Sequence, residues 1–107
     1  MTIDQAIVRA VKKASTSHCR YKISAIGFDH RGKILGLTRN NCRFTKPSGS
    51  VHAEMALMKK FGKSLSKIWI LRTNTTGALL AIHPCKTCKK KAEELGIKIF
   101  SVHEMSM

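Results

Sequence analysis

From residue 52 to residue 102 helical and strand-like patterns alternate, and few folds accept that order. Residues 52–61 carry apolar side chains at helical spacing, and Gly62 ends the run. Lys67 to Arg72 (KIWILR) reads as a buried strand. Pro84 opens another helix that runs to about Leu95, with Gly96 as its stop signal. Residues 97–102 (IKIFSV) read as a final strand. Two strands joined through a helix pair in parallel by a right-handed crossover, so the second half of the chain predicts an α/β fold.

The first half adds a helix and a hairpin. Residues 2–15 have the spacing of an amphipathic helix, with Thr2 and Gln5 as a capping box. Residues 22–28 and 33–38 read as strands, with Asp29-His30-Arg31-Gly32 as the turn between them. Residues 39–50 are polar and read as a loop. Ala78 to Ile82 is a short apolar run with no clear assignment. The expectation is one domain over residues 1–107, a three-layer α/β sandwich whose mixed sheet of about four strands is flanked by helices. Aromatics are scarce, so Ile, Leu, Val, Ala and Met should fill most of the core. Phe28, Phe61, Trp69, Phe100 and Tyr21 read as core, while Phe44 is equally suited to stacking on a base or plugging the polar loop.

Twenty Lys and Arg against six Asp and Glu give a formal net charge of +14. So large a charge repels itself in a compact chain and points to a phosphate-bearing partner, either a nucleotide or a nucleic acid. The cations are dispersed, and the densest group, Lys86, Lys89, Lys90 and Lys91, also fits a solvated helix face. The N-terminus opens on a polar, charged segment, so no signal peptide is expected. No apolar run is long enough for a membrane span. A reducing cytoplasmic location is therefore expected, where paired cysteines more often bind metal than form a disulfide.

Two short motifs carry chemistry. His52-Ala53-Glu54 opens one helix, and Pro84-Cys85-Lys86-Thr87-Cys88 opens another. One imidazole and two thiolates suit zinc and leave its fourth position open for water. Helix N-termini carry partial positive charge that favours thiolates. Glu54 is placed beside the ligands without being one, as a proton carrier must be. Cys85 and Cys88 alone would also fit a structural zinc half-site or a redox pair completed by Cys19 or Cys42, but that reading leaves Glu54 without a purpose. Cys19 and Cys42 read as ordinary thiols, and His18, His30 and His103 as surface or structural residues.

With these motifs the sequence resembles the cytidine deaminase superfamily, over nearly the whole chain. The matching stretches are AIGFDHRGKILGLTRNN, VHAE, KIWILRT, HPCKTC and ELGIKIFSV. The resemblance implies one zinc ion on His52, Cys85 and Cys88, with Glu54 as proton shuttle. It also implies substrate contacts from Asn40 or Asn41 to the sugar, from the His83 carbonyl to the amino group, and from Ala53. Tetrameric nucleoside deaminases usually carry Cys where this chain has His52, which tilts the expectation away from the plain free-nucleoside subclass. The expected function is hydrolytic deamination of cytosine to uracil in a free (deoxy)cytidine nucleotide. Two alternatives stand beside it: a cytosine deaminase acting on single-stranded DNA or RNA, and a non-catalytic zinc-stabilised nucleic-acid-binding module. A homo-oligomer would cover the exposed edge of so small a sheet.

Overall fold

The computed structural model describes residues 2–15, 22–40, 53–74, 78–80, 82 and 86–102. Helix α1 spans Ile3–Ser15. Its N-terminus is closed as the sequence expects: the Gln5 N–H donates to Thr2 Oγ1 at 3.2 Å, and the Thr2 N–H donates to Gln5 Oε1 at 3.0 Å. Strands β1 (Lys22–Phe28) and β2 (Ile34–Arg39) form an antiparallel hairpin. At its turn Asp29 accepts the N–H groups of Lys33 and Arg31 through one carboxylate oxygen, at 2.8 and 2.9 Å, and Gly32 supplies a φ of 82°. Those bonds, that to Lys33 foremost, hold the Asp29 carboxyl below the ordinary aspartate range.

Helix α2 is Ala53–Phe61, followed by a short 3-10 turn, Gly62–Ser64, which begins on a glycine at φ 51°. Strand β3 is Lys67–Thr73 and pairs antiparallel with β1 along its whole length. The unassigned apolar run contributes a two-residue strand, β4 (Leu79–Leu80), antiparallel to the end of β3. Helix α3 (Lys86–Leu95) leads to β5 (Lys98–Ser101), which lies parallel to β3. Because β1 occupies one edge of β3, β4 and β5 share the other. The sheet is therefore mixed and five-stranded, one short strand more than expected. No helix among the described residues is long and apolar enough to cross a membrane.

The sheet separates two cores. On one face Ala6, Ala10 and Ala14 of α1 pack against Ile26, Phe28 and Leu71. Three alanines on one helical stripe let α1 lie close to the strands. On the other face α2 and α3 cover Ala25, Ile68 and Ile70 through Leu57, Met58, Cys88 and Ala92. Phe28 and Trp69 meet at 4.7 Å between ring centroids, with the Lys67 ammonium over both rings. Phe100 departs from its expected core role: it is 41% exposed on β5, an edge strand paired, among the described residues, only with β3.

At Gly27 the sheet is closely covered by Leu57 of α2 and by Leu65, just beyond that helix. A Cβ there would lie 2.7 Å from Leu65 Cδ2 and 3.2 Å from Leu57 Cδ2, and both leucines are fully buried with no room to yield. Gly27→Ala is expected to lower unfolding stability by about 1–3 kcal/mol, an overpacking cost. Urea denaturation measures it, and a variant as stable as the wild type would contradict this packing.

Candidate active site

The functional end of the sheet is set by register. Lys22 pairs with Thr73 and Ser24 with Arg39, so the start of β1, the end of β3 and the end of β2 lie together. The polypeptide leaves β2 at Asn40, which is buried there at 8% exposure. Asn40 is tied to β1 twice: its N–H donates to the Ile23 carbonyl at 3.0 Å, and its side-chain Oδ1 accepts the Ile23 N–H at 3.1 Å. A short amide that continues a strand ladder with its side chain is held rigidly.

Helix α2 starts at the same end. Thr38, two residues before Asn40, donates its hydroxyl to the Ala53 carbonyl at 2.7 Å. Ala53 is fully buried, and the next residue, Glu54, is only 4% exposed. A carboxylate on the first turn gains from the helix dipole, which offsets part of the cost of burial. No ion pair to Glu54 forms among the described residues. In a chain so rich in Lys and Arg, a buried acid without such a pair suits chemistry better than scaffolding.

Cys88, on the first turn of α3, is 1% exposed and belongs to the same buried cluster as Ala53. Ala92 follows it on the buried side, while Lys86, Lys89, Lys90 and Lys91 are exposed and form a solvated face. The structure thus brings Glu54, Ala53, Cys88 and Asn40 to one end of the sheet, near the carboxyl ends of the parallel strands β3 and β5. His52, Cys85, His83 and Asn41 lie outside the described residues, as do Cys19, Cys42 and Phe44. Accordingly, no group of three His, Cys, Asp or Glu side chains able to hold a metal occurs among the described residues. The donor that is described fits zinc: a buried thiol on the first turn of a helix, in the same core cluster as Ala53, the residue before Glu54. Sequence reasoning missed Thr38, whose partner is fifteen residues away, with no local pattern to announce the bond.

The model of the cytidine and deoxycytidylate deaminase zinc-binding region matches residues 1–104. The chain belongs to that family. Solved structures agree on the fold of this family member. The cytidine deaminase from Mycobacterium leprae superposes with a TM-score of 0.64 at 19% identity, covering 94% of this chain and 88% of that one. The cytidine deaminase from Mycobacterium tuberculosis gives 0.64 at 16% identity, covering 92% and 85%. At such identities the likeness shows the deaminase fold alone. No curated protein sequence matches the chain at a significant level.

Proposed function

We propose that this chain is a zinc-dependent hydrolase that converts cytosine to uracil in a free (deoxy)cytidine nucleotide. The observation that carries the reading is that Glu54 and Cys88 are both buried on the first turns of two helices that pack together. Membership of a family defined by its zinc-binding region supports it. In this reading His52, Cys85 and Cys88 hold one zinc ion. When bound, the metal supplies the Lewis acidity that makes water a nucleophile near neutral pH.

The chain's own residues do the rest. Glu54 takes a proton from the attacking water and delivers it to N3 of the base. The water oxygen bonds to C4, and Glu54 passes the second proton to the amino group as the C4–N bond breaks. One water is consumed and one ammonia leaves. Burial of Glu54 keeps bulk water from competing for these protons and strengthens its interaction with the reacting groups. The His83 carbonyl would receive the amino group of the base, the Ala53 backbone would face the base, and Asn40 and Asn41 would meet the sugar. The two bonds from Asn40 to Ile23 support this role, since a sugar contact must be held in place before substrate arrives.

The test offers zinc-loaded protein cytidine, deoxycytidine and their monophosphates, in parallel with single- and double-stranded oligonucleotides. Uracil from the free compounds at ordinary salt is the expected result. Uracil only in oligonucleotides, with strong salt dependence, would overturn the substrate assignment and make the +14 surface a nucleic-acid track.

A further inference from the structure

We propose that Thr38 is a positioning residue for the proton shuttle: its hydroxyl fixes the Ala53–Glu54 peptide and thereby aims Glu54. The inference rests on the role proposed above for Glu54. The Ala53 carbonyl and the Glu54 N–H belong to one rigid peptide plane. A bond of 2.7 Å to that carbonyl therefore sets where the Glu54 backbone points. The donor is well suited to the task. Thr38 lies in the paired interior of β2, opposite Ala25 of β1, and its β-branched side chain has restricted χ1 freedom.

The same strand holds the other end of the helix. Gly36, two residues before Thr38 and on the same face, is so close to α2 that a Cβ would lie 3.0 Å from two ring atoms of Phe61. Helix α2 thus rests on β2 at both ends, by ring contact at Phe61 and by hydrogen bond at Ala53. Packing at Gly36 sets the spacing of helix and strand. Among the described contacts between α2 and β2, the Thr38 bond is the directional one, and it sets the rotation of the first turn, where Glu54 sits. General acid–base catalysis depends steeply on such placement.

The experiment compares zinc-loaded wild type, Thr38→Val and Thr38→Ser on whichever of cytidine, deoxycytidine and their monophosphates the wild type turns over best. Val keeps the shape and removes the hydroxyl, while Ser keeps the hydroxyl. The expected result for Thr38→Val is kcat lower by about tenfold, with KM within about twofold and zinc content unchanged. Thr38→Ser should recover most of that loss. A second readout needs no turnover: the carbonyl carbon-13 signal of labelled Ala53 should shift in Thr38→Val and return in Thr38→Ser. Unchanged kcat in folded Thr38→Val, or Thr38→Ser as slow as Thr38→Val, would overturn the proposal. If the wild type deaminates none of these compounds, the function proposed above falls, and an Ala53 signal unmoved by Thr38→Val would then sink the positioning bond itself.

Discussion

Glu54→Gln is expected to keep its zinc and its fold and to lose turnover by about 10²–10⁴-fold, the usual contribution of a positioned proton carrier. Gln matches Glu in size, so the buried pocket on the first turn of α2 stays filled. An amide can donate and accept hydrogen bonds, but it does not carry a proton from water to a base. The loss should fall on kcat, because the missing event occurs in the transition state. Steady-state kinetics on metal-loaded protein read it, with elemental analysis confirming equal zinc. Turnover within a few-fold of wild type would remove Glu54 from the mechanism.

Cys88→Ala carries the second large effect. It should no longer retain stoichiometric zinc through desalting, where the wild type does. Removing a partner that merely orients a ligand typically weakens metal binding 10–100-fold, and removing the ligand itself should weaken it more. Stability should follow by linkage. Metal held at a hundredfold over its dissociation constant contributes about 2.7 kcal/mol, and that increment disappears with the site. A chelator should therefore lower the melting temperature of the wild type and leave Cys88→Ala nearly unmoved. Cys88 is 1% exposed within the α2–α3 cluster, so a small packing loss accompanies the change. The chelator comparison separates the two, since a packing loss persists with or without metal. Full zinc occupancy in Cys88→Ala would count against its assignment as a ligand.

The readily legible parts of this chain were those whose signals are local. Thr2 and Gln5 lie three residues apart, and their reciprocal bonds follow from that spacing. Strand β1 has the bounds its sequence pattern suggests, residues 22–28, and apart from Lys22 and Ser24 it is apolar, because it contributes to the core on both faces of the sheet. Gly62 and Gly96 both adopt positive φ at the helix ends they were expected to mark. The motif residues Glu54 and Cys88 lie on first helical turns, as their sequence signals suggest, and the role proposed for them needs such residue types there.

Other features depend on neighbours that are distant in sequence. Strand β4 is two residues long, too short for any periodicity, and exists because β3 offers it an edge. Phe100 looked like core by type, but on the edge strand β5 it is 41% exposed. The bond from Thr38 to Ala53 needs β2 and α2 to meet, which no window of sequence contains. The second bond from Asn40, from the Ile23 N–H to its side chain, is invisible for the same reason.

The central claim is that water, with Glu54 as proton carrier, replaces the amino group of cytosine. The most direct measurement incubates zinc-loaded protein with deoxycytidine monophosphate in heavy-oxygen water and weighs the product by mass spectrometry, beside the Glu54→Gln control. The account predicts a uracil nucleotide carrying one heavy oxygen at C4 from the wild type and almost none from the control. Absence of product, product without the label, or equal yield from Glu54→Gln would contradict it.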